Sequence, residues 1–228
     1  MPLSPRGVLC GTNFSIAFAK DGEDCYRRQL MPTSIGHALA GVAAAWGADL
    51  VPGDRAWRTA PAAASWYRRA GDGLTVACAA LGALPDADLL FHAHRTYTHS
   101  VGAVIFVGVF AAAMAANAKR PIARVALMCA AAYGTHLLLD YLAIDHAPPL
   151  GIQALWPFTR TWYISGWDLF LRTERRHFFS LATFWINTRA ALQELLILAP
   201  ITLAIWLIRV KALAGLAPQL PRGDHPPQ

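Results

Sequence analysis

Residues 122–143 read IARVALMCAAAYGTHLLLDYLA. This stretch is almost wholly apolar and long enough to cross a bilayer, because a transmembrane helix needs about 20 residues, with a range of about 17–25. His136 and Asp140 stand near its end, four residues apart, which puts both side chains on one face of a helix about one turn apart. Ionisable groups in such a segment lose their hydration, so their presence points to a function.

Four further apolar segments lie on either side of this one. Residues 101–118 and residues 191–208 also meet the length of a spanning helix. Residues 34–51 and 74–90 are marginal, and Pro85 interrupts the second of them, so either one could be short or re-entrant. The pattern predicts an all-α integral membrane bundle with four to five spans.

The composition agrees with a membrane protein of one domain. Of the 228 residues, 55% are hydrophobic and 15% are charged, whereas an average soluble domain is about 25% charged. The net charge of +6 comes from short basic clusters between apolar segments, which is a topology signal rather than a nucleic-acid footprint. The four cysteines show no CxxC spacing, so the sequence indicates neither a disulfide framework nor a thiolate zinc site.

The connections and the two ends have compositions of their own. Residues 144–190 are rich in Trp, Tyr and Phe, which favour the membrane–water boundary, so we expect interfacial helices there. Residues 1–30 lack a sustained apolar core, and we interpret them as a disordered extension or the product of an upstream start, with Met31 the more natural beginning. Residues 212–228 are expected to form a flexible tail. The predicted membrane domain is therefore 31–211.

The polar residues alternate between the starts and the ends of successive apolar segments. They are His37 at a start, Asp86 and Asp88 at an end, His94 and His99 at a start, and His136 and Asp140 at an end. If all five segments cross the membrane, these side chains fall on one face. The other face receives nine basic residues, which are Arg55, Arg58, Arg68, Arg69, Lys119, Arg120, Arg124, Arg209 and Lys211. Five other arginines, Arg160, Arg172, Arg175, Arg176 and Arg189, would lie on the same face as the polar cluster. The positive-inside rule then places the polar cluster on the extracytoplasmic side.

Grouped His and Asp side chains are ligands for zinc and related divalent ions. For His136 and Asp140 a ligand role outweighs a simple helix-end hydrogen bond, because a buried carboxylate is costly. His99 is a further ligand candidate. Asp86 has about equal claims as a ligand and as a helix cap. His37 has about equal claims as a ligand and as a packing residue.

Three neighbouring residues are candidates for catalysis. Asp88 and His94 would serve as a general base or orient a ligand, although a cap or an interfacial polar strip would also account for them. Arg95 would clamp a phosphate or carboxylate, because its planar guanidinium binds such groups bidentately, but an interfacial anchor explains it equally. The chain has no nucleophile elbow, P-loop or HExxH motif. Water activated by a divalent ion, whose pKa falls toward about 7, is therefore the simplest predicted nucleophile.

Several motifs occur in a fixed order. They are Gly36-His37, LPDAD at 84–88, HRTYTHS at 94–100, HLLLD at 136–140 and ALWP at 154–157. The combination resembles the YdjM family of membrane-bound, metal-dependent hydrolases of the bacterial inner membrane, over about residues 31–170. That family is in turn similar to the zinc-dependent phospholipase C group of all-helical phosphoesterases.

The resemblance implies a ligand set and a cofactor. The implied metal ligands are His37, Asp86, His99, His136 and Asp140. The implied cofactor is a divalent metal, most simply zinc. No second HxxxE pair follows Asp140, so one or two ions are expected rather than three.

The expected partners are membrane lipids, and the expected substrate is a phosphoester or a lipid. Two other interpretations stay open at this point. A metal or proton transporter would carry polar residues along a path through both leaflets. A non-catalytic membrane protein with a structural metal would close the coordination shell with protein ligands and leave no position for water.

Overall fold

The structure is a computed structural model and describes residues 32–52, 73–91, 95–145, 149–174 and 179–214. The α-helices in these residues are α1 (Ser34–Asp49), α2 (Gly73–Ala83), α3 (Val101–Asn117), α4 (Ile122–Leu142) and α5 (Leu181–Ala214). A 3-10 helix, Leu84–Phe91, follows α2 directly. The described residues form no β-strand beyond isolated bridges, so the predicted all-α fold is confirmed for this part of the chain.

The bundle is arranged around α1, which packs against α2, α4 and α5, while α3 packs on α4. The contact between α1 and α2 is close because two glycines meet there. A Cβ atom added to Gly41 would lie 2.7 Å from the carbonyl oxygen of Cys78 and 3.1 Å from the Cα of Gly82. Small residues of this kind allow helix backbones to approach within a membrane.

Buried arginines hold the end of the bundle where α1 finishes. Arg124, near the start of α4, donates hydrogen bonds to the carbonyl oxygens of Ala48 and Val51. Arg209 of α5 lies with its Nε 3.2 Å from Asp49 Oδ2. The last carbonyl groups of a helix carry partial negative charge and lack partners within the helix, so the contacts of Arg124 stabilise this terminus.

Two of the described helices, α4 and α5, are long and apolar enough to cross a membrane, with mean hydropathies of 1.5 and 2.0. Only 17% of the most apolar stretch of α5 is buried in the bundle, so most of the apolar surface of this helix faces outward. The helix α3 has 17 residues and lies at the lower limit for a span. The helices α1 and α2, with 16 and 11 residues, are shorter still.

The interfacial helices predicted between residues 144 and 190 do not form in residues 149–174, and the prediction was wrong for that part. The segment is irregular, and Gly151 and Gly166 adopt φ angles of +86° and +71°. A helix cannot continue through such left-handed backbone positions. The segment is instead held by backbone pairing with distant parts of the chain.

That pairing places the segment over the start of α3. Val101 donates its backbone N–H to the carbonyl of Ala154 at 2.8 Å, and Gly102 donates to that of Trp156 at 3.0 Å. A hydrogen bond of 3.0 Å from Ile144 N–H to the carbonyl of Phe170 joins its far end to the chain just after α4. The connection therefore covers the end of the bundle where α3 begins and α4 finishes.

The structure describes only a few residues of the predicted N-terminal extension and C-terminal tail, all of them in the tail. The helix α5 extends to Ala214 and so includes residues 212–214 of the predicted tail. The remaining tail and the predicted extension at residues 1–30 lie outside the described residues.

Candidate metal centre

Four elements bring the five predicted ligands to one end of the bundle. His37 lies in the first turn of α1, Asp86 in the 3-10 helix, and His99 two residues before α3 begins. His136 and Asp140 occupy the last two turns of α4. All five side chains are buried, and the three histidines have no exposed surface. The structure thus joins residues that are more than 100 positions apart in the sequence.

Four atoms of this cluster are spaced as the ligands of one divalent ion would be. His99 Nε2 lies 3.0 Å from His136 Nε2, 3.2 Å from Asp140 Oδ2 and 3.9 Å from Asp86 Oδ1. His136 Nε2 lies 3.4 Å from the same Asp140 oxygen and 3.5 Å from the same Asp86 oxygen. Zinc bonds of about 2.0–2.2 Å put tetrahedral ligands about 3.3–3.6 Å apart. The nitrogen and oxygen donors therefore suit a divalent ion, and the measured separations lie within about 0.3 Å of that range.

His37 stands beside this set. Its Nε2 lies 3.5 Å from Asp140 Oδ1, and its ring stacks on that of His136 with centroids 3.7 Å apart. Among the described residues, neither ring nitrogen of His37 and neither carboxylate oxygen of Asp140 has a hydrogen-bond partner. Buried polar atoms without partners are costly, and a cation between His37 and Asp140 would remove that cost.

The Nδ1 atoms of His136 and His99 each contact an oxygen atom of the protein. His136 Nδ1 lies 2.8 Å from the carbonyl oxygen of Gly82, and His99 Nδ1 lies 3.2 Å from Asp88 Oδ2. A carbonyl or carboxylate at Nδ1 fixes the proton there and leaves Nε2 able to bind a metal. The hydroxyl of Thr98 donates to Asp88 and so steadies this carboxylate.

The electrostatic balance at His99 also favours a cation. Burial opposes the charged form of this histidine, but its contacts with the carboxylates of Asp140 and Asp88 outweigh burial and raise the pKa of His99 above its ordinary value. The carboxylates around His99 thus favour positive charge at this position, and a divalent ion at Nε2 would supply it.

Local sequence fixes where Asp86 and His99 lie. Pro85 follows α2 and cannot donate the backbone hydrogen bond that would continue it, so the chain tightens into the 3-10 helix that contains Asp86. Ser100 caps α3 by accepting a hydrogen bond from the N–H of Ala103 at 3.2 Å. His99 precedes that cap directly.

Of the predicted catalytic residues, Arg95 forms an ion pair and His94 cannot be placed. Arg95 is buried, and its Nη1 lies 2.6 Å from Asp145 Oδ2. The same Asp145 oxygen accepts the N–H of Gly151 at 2.7 Å, so this ion pair ties the loop before α3 to the connection that covers it. Anion binding by Arg95 stays a prediction. His94 lies outside the described residues.

Glu194 is a buried carboxylate that no sequence motif indicated. Its two oxygens accept hydrogen bonds from the N–H and the hydroxyl of Thr33, at 2.8 and 2.5 Å. Thr33 caps α1, so Glu194 of α5 holds the start of the helix that carries His37. The sequence feature that could have indicated a role for Glu194 is that it is the single acidic residue within the apolar segment 191–208.

These features define an all-helical membrane protein with a buried cluster of His and Asp residues at one end of its bundle. Residues 31–213 match the family described as YdjM inner membrane protein, and the chain belongs to this family. No curated protein and no solved structure matches the chain significantly. The membrane location follows from the family and from the two candidate spans, and the clusters can hold a metal ion.

Proposed function

We propose that the protein is a membrane-bound, metal-dependent hydrolase. The observation that carries the proposal is the convergence of two histidine nitrogens and two carboxylate oxygens, with contacts of 3.0–3.9 Å between them, on side chains that are buried in the bundle. The unsatisfied polar atoms of His37 and Asp140 support it. Zinc suits this mixture of nitrogen and oxygen ligands.

The residues divide into ligands and positioning groups. Asp86, His99, His136 and Asp140 would hold the ion, and His37 would complete the site or bind a second ion through Asp140. An ion bound there would polarise the substrate and lower the pKa of a water ligand toward about 7. The chain's own contribution is to orient the ligands and exclude bulk water.

Asp88, His94 and Arg95 have secondary roles in the proposal. Asp88 holds His99 in the tautomer that exposes Nε2, consistent with its contact at 3.2 Å. His94 is the candidate general base, and Arg95 the candidate group for an anionic substrate.

The proposal includes a topology and a substrate class. The membrane domain, residues 31–211, would cross the inner membrane four or five times, with α1–α3 adding to the two candidate spans. The site would lie on the extracytoplasmic side, near the lipid headgroups, and act on a phosphoester or a lipid rather than a nucleic acid. The exposed apolar side chains of α3 and α5 support contact with lipid on those helices.

A structural metal site is the second candidate, and one observation favours it. Asp86, His99, His136 and Asp140 would fill all four positions of a tetrahedral shell, as structural zinc sites do. A catalytic site requires one of these groups to leave room for water. The transporter interpretation has less support, because the five candidate ligands lie together at one end of the bundle.

An activity assay with removal and return of the metal tests the proposal. Purified protein would be treated with a chelator, reloaded with zinc or manganese, and supplied with a panel of phosphoesters and phospholipids. We expect hydrolysis only in the reloaded protein and none with His136→Ala, whereas Leu138→Ala on the exposed face of α4 should retain it. Metal binding without hydrolysis of any substrate would favour the structural site instead.

A further inference from the structure

An apolar groove of about 510 Å³ lies beside the metal centre. Its walls come from the 3-10 helix, from α3 and α4, and from Trp156 of the connection. Leu84, Ala103 and Val107 contribute apolar surface. The volume falls within the range of about 300–1,000 Å³ that small-molecule sites occupy.

One end of the groove is polar and meets the metal centre. Asp88 and Thr98 line that end. Both contact His99 Nδ1, Asp88 at 3.2 Å and Thr98 at 2.9 Å. A molecule whose polar group lies at this end would therefore be one side chain away from a candidate metal ligand.

The opposite end of the groove is continuous with the outward surface of α3. Phe106 lines the groove and is 69% exposed, and Val109 and Phe110 beside it are also exposed. In a membrane protein such a surface lies against lipid chains. The groove is thus open toward the hydrocarbon layer along the side of α3.

An aromatic pair stands beside the polar end. Tyr97 and Trp156 both line the groove and meet edge to face, with ring centroids 5.1 Å apart. Rings of this amphipathic kind occupy the level of the lipid headgroups. The groove therefore runs from polar to apolar in the same direction as one membrane leaflet, with Tyr97 at the level of the headgroups and Phe106 at the level of the hydrocarbon chains.

We propose that this groove binds one hydrocarbon chain of a membrane lipid, with the polar part of the lipid placed at Asp88 beside the metal centre. The choice of a lipid over a water-soluble phosphoester follows from the single polar end and the opening toward the hydrocarbon layer. That the lipid is also the substrate rests on the proposed hydrolase function, whereas binding of the chain does not require the metal.

Photo-crosslinking in vesicles tests the proposal. The full-length protein would be reconstituted in phosphatidylglycerol vesicles that contain a phospholipid with a diazirine in one chain, and the adducts would be mapped by mass spectrometry. Ala103→Phe fills the groove, and Val109→Phe adds a ring of the same size to the outward face. His136→Ala removes the metal centre but leaves the groove.

We expect adducts on the lining residues Leu84 and Tyr133 to fall about tenfold in Ala103→Phe and to persist in Val109→Phe and His136→Ala. Adducts confined to the outward faces of α3 and α5, or unchanged by Ala103→Phe, would overturn the proposal. Should Ala103→Phe fail to fold, Val107→Phe replaces it. Groove adducts in a wild-type protein that binds no metal would refute the hydrolase and leave the lipid groove standing.

Discussion

At the scale of single residues, the contact between Asp88 and His99 leads to a specific prediction. Asp88→Asn removes the charge that fixes the proton on His99 Nδ1 but keeps the shape of the side chain. Groups that orient metal ligands typically contribute about 10–100-fold to metal affinity, so we expect zinc affinity to fall by that order while the helical content is unchanged. Competition with a chromophoric chelator would measure it. Asp168→Asn, on an exposed carboxylate, is the control, and equal affinities in the two variants would contradict the role of Asp88.

Single residues also show what the sequence could and could not predict about the site. His136 and Asp140 were predictable because charge at helical spacing in an apolar segment needs an explanation. The alternation of polar residues between the starts and ends of apolar segments brought His37, Asp86 and His99 to the same face. Glu194 was not predictable as a partner of α1, because its contact with Thr33 spans 161 positions in the sequence. No local pattern records such a pairing.

At the scale of elements, the close approach of α1 and α2 is open to test with two glycines on one helix. Gly41→Ala forces a methyl group against the carbonyl of Cys78 and should push α2 away from α1, which disturbs the contact between Gly82 and His136. Overpacking of this kind costs about 1–3 kcal/mol. Gly47→Ala is the matched control because nothing lies within 4 Å of its Cβ position. We expect a lower thermal unfolding midpoint for Gly41→Ala alone, and equal midpoints would contradict the packing.

The contact between α5 and the start of α1 gives a second prediction for an element. Glu194→Ala leaves the partly buried N–H and hydroxyl of Thr33 without their partner, which costs about 1–3 kcal/mol. Unfolding in denaturant should show that loss, and Glu194→Gln should recover part of it because its carbonyl oxygen still accepts the N–H. Leu195→Ala, on the exposed side of α5, serves as the control. A loss no greater than in this control would refute the contact.

Elements differed in how well the sequence predicted them. The apolar run at 122–143 became α4 almost unchanged, and the run at 101–118 became α3, since hydrophobicity and length define such helices. The helix α5 begins ten residues earlier than predicted, because polar residues such as Asn187 and Arg189 lower the apolar signal there. The irregular connection was missed because its backbone pairs with distant residues rather than within itself.

At the scale of the whole molecule, the proposed topology places the two ends of the bundle on opposite sides of the membrane. Phe158 in the connection is 81% exposed at the metal-centre end, and Lys119 lies in the turn at the other end of α3. In a cysteine-free background, Phe158→Cys should react with an impermeant maleimide in intact cells and Lys119→Cys only after lysis. Labelling of both positions from the same side would contradict an α3 that spans the membrane.

Elemental mass spectrometry of the detergent-purified protein would show whether α1, the 3-10 helix, the start of α3 and the end of α4 together form a metal centre. Wild type would be measured beside His136→Ala, Asp140→Ala and the control Leu138→Ala. We expect stoichiometric zinc or another divalent metal in wild type and in the control, and its loss in both site variants. A well-folded wild-type protein that binds no metal even after metal is added back would contradict this metal centre, as would undiminished metal in the two site variants.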